Sequence, residues 1–483
     1  MQSQIKALSF QTLIYGTGHI LARLVTFLLL PLYTNIFDPE KYAVVSLAYM
    51  FMGFMVVILH YGLDAALMKH YVPAGAAERK KLLSSAYVSF ILTSVGFAFL
   101  MYFLRGFTAE ILLGVHMPRY MALVGIILML DILWSVPMLL LRSEEKPLTF
   151  IFFSLLNVCL TMSLNLLFVL RLRMGVEGVL ISNVWTSVII FLLTLPIIFK
   201  RIDLRMVSWP TWKKLMRFGL PFLPSGIFAM IMEMAGRYLL KFMTDMGVVG
   251  IYNAGYKLGM LMLLVVMGFN MAWQPFFLRE GGSAEKKQLY SRIVPYVLAT
   301  LGFVWVFLLL WVDRLVRLPI GGATFYGSEY WSSTAIVPWI ALGYLFHATY
   351  LLQLPGPFLT EKSHWVAYTR GFGALVTILL NLILIPVLGA LGAAVAMCIS
   401  FLIMSISLFL VNRQIFPMDY EWMKLVRVGL VLIIIAVLNY QLPQRWFIDG
   451  GLTLAYPILL LISGFVKRSD ITTLKNSLFG KSK

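Results

Sequence analysis

The chain has 483 residues, 60% of them hydrophobic and only 12% charged, a balance that excludes an ordinary soluble domain. A formal charge of +18 would suit a nucleic-acid binder, yet the basic residues sit in short breaks between apolar runs, with no aromatic-interleaved basic domain. The two cysteines, Cys159 and Cys398, both fall inside apolar runs and give neither a disulfide framework nor a metal-ligand spacing.

Apolar runs of about 18 or more residues recur along the whole chain, whereas alternating ten-residue strands are absent. The expected class is therefore an all-α integral membrane protein. About 14 spans are predicted, near 9–35, 42–67, 83–104, 119–141, 148–170, 177–199, 216–242, 248–274, 290–312, 331–354, 365–386, 389–411, 422–440 and 447–466. The first carries Arg23 and runs into Pro31 without a short h-region ending in a small-residue cleavage site, so it is expected to stay as a span.

An even number of spans puts both termini on one side. If that side is the cytoplasm, the basic loops lie inside, among them Lys69, Arg79, Lys80, Lys81, Lys200, Arg201, Arg205, Lys213, Lys214, Lys286 and Lys287. Only Lys41, Arg105, Arg119, Arg171, Arg173, Lys241, Arg314, Arg317 and Arg445 then lie outside. The asymmetry predicts cytoplasmic termini.

In chain order, span two ends near Asp64, a carboxylate that could cap a helix, meet Lys69 or take part in ion coupling. AERKKLLSSAYVSFILT (77–93) follows, and AEKKQLYSRIVPYVLAT (284–300) matches it at six of 17 positions without a gap. Asp131 lies within span four, a second candidate for proton or cation coupling. LNLLFVLRLRMGVEG (164–178) has a later echo in LNLILIPVLGALG (380–392), with Asn165 on Asn381 and a Gly-x-x-Gly pair closing each. The asparagines read as interhelical hydrogen-bond residues and the glycines as packing features. Two six-helix lobes are expected, 1–199 and 217–412, joined by the basic linker 200–216. Because six is even, they should be related by a pseudo-twofold axis along the membrane normal. Two additional helices and a basic tail occupy 413–483.

The second lobe opens on RFGLPFLPSGIFAMIMEMAGRYLLKFMTDMGVVGIYNAGYKLGM (217–260). It is apolar enough to cross a membrane twice yet holds Glu233, Arg237, Lys241 and Lys257. The first three step at i, i+4 and i+8 onto one helical face, and Pro221 and Pro224 upstream are expected to bend the helix. Glu233 is placed to pair with Arg237 or to serve in coupling. Charges at bilayer depth face a bundle interior or a wet cavity, so this stretch reads as lining a polar path. Tyr252, Tyr256, Trp273 and Gln274 are candidates for stacking on and hydrogen-bonding sugar rings, although aromatics also crowd membrane interfaces.

Several stretches carry a specific resemblance: ARLVTFLLLPLYTNIFDPEKYAVVSLAY, FGLPFLPSGIF with GRYLLKFM, GIYNAGYKLGMLM, AWQPFF and LNLILIPVLGALGAAVA. Together they resemble the bacterial polysaccharide and O-antigen flippases of the multidrug/oligosaccharidyl-lipid/polysaccharide exporter superfamily. The resemblance implies two six-helix lobes flanking a cavity that opens alternately to each side. It also implies transfer of an undecaprenyl-pyrophosphate-linked oligosaccharide from the cytoplasmic to the periplasmic leaflet. Members commonly have Asp-Arg-Tyr where this chain has Gly236-Arg237-Tyr238, which removes an acid.

On that footing Arg23, Arg237 and Lys257 are the expected partners of the pyrophosphate, since moving a compact polyanion past hydrocarbon requires sheltered fixed cations. Lys241, nearer the outer surface, is a weaker candidate. No cofactor is expected, and the partners would be the lipid-linked oligosaccharide, membrane lipids and other polysaccharide-assembly proteins, with no nucleic acid. Alternatives are a flippase for lipid II and an integral-membrane glycosyltransferase or polymerase using the same carrier. A multidrug cation antiporter fits less well with a path where Arg and Lys prevail. No G-x-x-x-x-G-K-[ST] pattern occurs, so the chain is not expected to hydrolyse ATP.

Overall fold

The computed structural model describes residue 27, residues 29–443 and residues 445–465. In chain order the helices are α1 (Leu30–Ile36), α2 (Pro39–His60), α3 (Leu63–Tyr71), α4 (Ala76–Phe103), α5 (Pro118–Ser143), α6 (Pro147–Asn165), α7 (Gly175–Phe199), α8 (Trp209–Gly219) and α9 (Leu223–Met243). There follow α10 (Met246–Gly259), α11 (Leu261–Glu280), α12 (Ala284–Val316), α13 (Val337–Leu352), α14 (Pro355–Leu359), α15 (His364–Leu388), α16 (Ala390–Ile415), α17 (Trp422–Gln441) and α18 (Trp446–Ile462). A small antiparallel hairpin, Pro319–Ile320 with Ala323–Thr324, stands between α12 and α13. Among the described residues 12 helices are long and apolar enough to cross a membrane, and the shorter apolar α18 follows them. Every predicted span but the first has its helix; most of 9–35 lies outside the described residues.

The chain packs as two compact units. The first holds the described residues up to Ala254 with Pro319–Ser332 and Arg370–Met397. The second holds Gly255–Leu318, Ser333–Thr369 and the described residues from Cys398 onward. These packing units and the halves of the sequence repeat divide the chain differently. In the first, α5 is the hub, packed on α4 and α7. In the second, α12 has that role, packed on α13, α17 and α18. Peripheral α17 leaves Val426, Leu430, Ile433 and Val437 exposed, a stripe at helical spacing suited to hydrocarbon.

Two local devices bear on the site. The chain breaks between α2 and α3 at Tyr61 and Gly62, both at positive φ. A Cβ on Gly62 would lie 2.0 Å from the carbonyl oxygen of Gly219, so only glycine lets α3 and α8 meet there. The echo between 164–178 and 380–392 also has a geometric counterpart. Asn165 donates to Thr161 O at 2.8 Å, and Asn381 donates to Thr377 O at 2.7 Å. Gly175 and Gly389 both hold positive φ, at 62° and 55°. A Cβ on Gly178 would crowd Phe168 O and one on Gly392 would crowd Leu384 O.

Candidate functional site

The helical run Trp209–Met243 changes character at the prolines ahead of α9. Amphipathic α8 ends at Gly219, a 3-10 turn spans Leu220–Phe222, and α9 starts with Pro224 in its first turn. Proline is tolerated there because its missing N–H would have had no helical partner. Within α9, Glu233, Arg237 and Lys241 are all partly buried, at the predicted spacing. Lys241 Nζ donates to the carbonyls of Glu110 and Ile111, in the π-helical turn Ala109–Leu113. That ties Lys241 to backbone acceptors of that turn, a structural use of its charge. Arg237 lies within electrostatic reach of the hydroxyls of Tyr42 and Tyr238.

The residue before it accounts for the departure from Asp-Arg-Tyr. Gly236 is buried, and a Cβ there would sit 3.1 Å from Asn381 Oδ1 and 3.5 Å from the Ala393 methyl. An aspartate at 236 would add bulk and negative charge beside another acceptor. Asn381 is fully buried and its Oδ1 accepts no hydrogen bond among the described residues. Its counterpart Asn165, also fully buried, accepts from the Tyr33 hydroxyl at 2.7 Å.

Asp131 accepts from Ser187 Oγ at 2.6 Å and from Trp134 Nε1 at 2.9 Å. Nearby, Asn183 Nδ2 donates to the Tyr49 hydroxyl at 2.7 Å, and the Tyr49 and Tyr33 hydroxyls are in hydrogen-bonding contact. A directional polar chain thus runs Asn183, Tyr49, Tyr33, Asn165 inside an otherwise apolar bundle. Sequence reading missed Tyr33, Asn183 and Ser187; single polar residues within apolar spans were the only signal. Asp64 lies in the first turn of α3 and makes no ion pair among the described residues; Lys69 places its ammonium 3.9 Å over the Phe218 ring instead. With His60, Ser135, Arg142 and Asn157, Asp64 lines a cavity of about 350 Å³.

In the second unit Lys257 is partly buried on α10. The Tyr256 hydroxyl is hydrogen-bonded to that of Tyr344. Trp273 is buried in an aromatic group with Phe269, Phe276, Phe277 and Tyr290. Tyr252, in the first unit, is buried as well, so of the four sugar-contact candidates only Gln274 is exposed. Arg23 lies outside the described residues.

A family model described as polysaccharide biosynthesis protein matches residues 10–279. Among solved structures, the lipid II flippase MurJ in an inward closed conformation is similar, with a TM-score of 0.73 at 16% identity, covering 99% of this chain and 100% of that one. An inward-facing multidrug resistance MATE family transporter of the MOP superfamily gives 0.65 at 16% identity, covering 83% of this chain and 94% of that one. A MOP superfamily transporter from Pyrococcus furiosus gives 0.57 at 17% identity, covering 85% and 94%. At these identities the likeness is one of fold. No match is found among curated protein sequences.

Proposed function

Because the chain belongs to the polysaccharide biosynthesis protein family, we propose that it is a flippase for an undecaprenyl-pyrophosphate-linked oligosaccharide. It carries an O-antigen, capsule or exopolysaccharide repeat unit from the cytoplasmic to the periplasmic leaflet of the inner membrane. Arg23, Arg237 and Lys257 neutralise the pyrophosphate along a cationic central path, and two six-helix lobes alternate its access. Asp131, Asp64 and Glu233 are the candidate coupling acids, and Gln274 is the exposed candidate for sugar contact. The observation that supports this most is Arg237, a partly buried guanidinium on a membrane-span helix. Lys241, on the same face, donates to backbone carbonyls.

A second cargo, lipid II, is favoured by the fold likeness to a lipid II flippase over 99% of this chain. Both readings make the protein a transporter and not an enzyme. Purified protein in liposomes should move a fluorescent lipid-linked oligosaccharide between leaflets without changing its mass. A change of mass would favour a glycosyltransferase or polymerase, and preferential movement of lipid II would replace the first cargo with the second.

A further inference from the structure

The linker ahead of α9 is pinned on one side and bare on the other. The Asp203 N–H donates to Ser84 Oγ at 2.9 Å, the Ser208 N–H to Ser85 Oγ at 3.0 Å, and Trp212 Nε1–H to Ser89 Oγ at 2.9 Å. Three hydroxyls of α4 therefore fix its path. Outward, Leu204 is 69% and Trp209 68% exposed, Val207 is exposed beside them, and Trp209 stacks on Trp212 with ring centres 4.4 Å apart. Between α4 and this segment lies a cleft of about 680 Å³, lined among others by Glu78, Lys81, Arg205, Ser208, Thr211 and Lys214. Among the described residues Lys81 and Arg205 make no ion pair, and Lys214 meets the single acid, Glu78, only at 3.9 Å. Burial, then the charges of Lys214 and Lys69, hold the His70 imidazole below its usual value against the opposing charge of Glu78.

Apolar side chains on a pinned backbone, next to cations that outnumber the neighbouring acid, suit an interface where hydrocarbon gives way to phosphate. Water alone would leave the tryptophan and leucine exposed, and a zwitterionic surface would leave the cations without net attraction. We propose that this cleft binds the phosphate of an anionic phospholipid, with Lys81, Arg205 and Lys214 around the phosphate and Leu204, Val207 and Trp209 seated at the acyl boundary. Loop charges assign this face to the cytoplasm, so the ligand is drawn from that leaflet. The site needs only that α7 and α9 enter the same bilayer, and it stands whatever cargo the protein carries.

The test uses the full-length protein purified in detergent. Phosphatidylglycerol should raise its melting temperature at low salt, and the rise should vanish at high salt. Phosphatidylcholine should not produce it. In the variant Lys81→Gln/Arg205→Gln/Lys214→Gln, affinity for phosphatidylglycerol should fall by about a hundredfold, the loss expected from removing three surface cations. Brominated phosphatidylglycerol should quench tryptophan emission in the wild type and less so in Trp209→Phe. If the triple variant does not fold, Arg205→Gln alone, whose side chain holds nothing in place, should weaken that quenching. An equal shift with phosphatidylcholine, a variant that keeps the shift, or quenching unchanged in Trp209→Phe would overturn the proposal. Inorganic phosphate alone reproducing the full shift would overturn the lipid assignment and leave a soluble phosphate as the ligand.

Discussion

At the scale of the residue, the cations of the membrane segments differ by what already surrounds them. Lys241 is engaged by carbonyls, whereas Arg237 is set beside tyrosine hydroxyls. Arg237→Ala and Arg23→Ala are each expected to abolish polymer export while membrane abundance stays at the wild-type level. Arg237→Lys should retain a part, having charge without the planar fork. Export assays with quantified protein check this, and normal export in both alanine variants would reject the cation assignment. Gly236→Asp, which restores the family's acid, should destabilise the fold by about 1–3 kcal/mol through crowding against Asn381. Adding Asn381→Ala should recover a good part of that in a melting experiment. Glu144, outside the spans, gives a pH prediction. Burial would raise its carboxyl, but Arg201 and Lys146 override that and hold it down at about 2. Arg201 makes bonds of 2.6 and 2.7 Å to its two oxygens. A depressed folded value means the stabilisation is complete above the ordinary carboxylate range and is lost as pH falls through it toward 2. Melting should therefore be flat between neutrality and pH near 5 and decline below, and Arg201→Gln should remove most of that acid-side decline.

At the scale of the element, the spans were legible because lipid demands long uninterrupted apolar helices, a signal that survives without homologues. The echo around the two asparagines has a local counterpart: Asn165 and Asn381 each donate to the carbonyl of a threonine one turn back. Pro221 and Pro224 fall where the helical run Trp209–Met243 tightens into a 3-10 turn, and sequence alone does not give the geometry of that turn. The sugar-contact candidates stood on residue type alone, and side chains such as Tyr256 and Trp273 turn out to fill cores. Nor could pattern reveal that Ser84, Ser85 and Ser89 face the linker, since those partners are about 120 positions away. Replacing all three by alanine should cost about 1 kcal/mol per lost bond. Trypsin should then cut at Arg205 and Lys213 much faster than in the wild type, while helicity is unchanged.

At the scale of the whole molecule, the protein is a multi-pass membrane protein of the MOP transporter fold, and loop charge alone predicts its orientation. In a background lacking Cys159 and Cys398, Ile320→Cys in the small hairpin should react with an impermeant maleimide in intact cells. Arg205→Cys should react only after permeabilisation, and the reverse pattern would invert the topology. The continuity of α8 with α9 carries a last consequence. Arg237 stands 14 positions beyond Leu223, the first residue of α9, which is about 21 Å along the axis at ~1.5 Å per residue. With hydrocarbon about 30 Å thick, the amphipathic segment ahead of α9, were it seated flat on one surface, would work as a plumb line, setting how far below that surface the guanidinium hangs. Loosening that segment would let the charge drift along the bilayer normal without altering a single atom of its immediate surroundings.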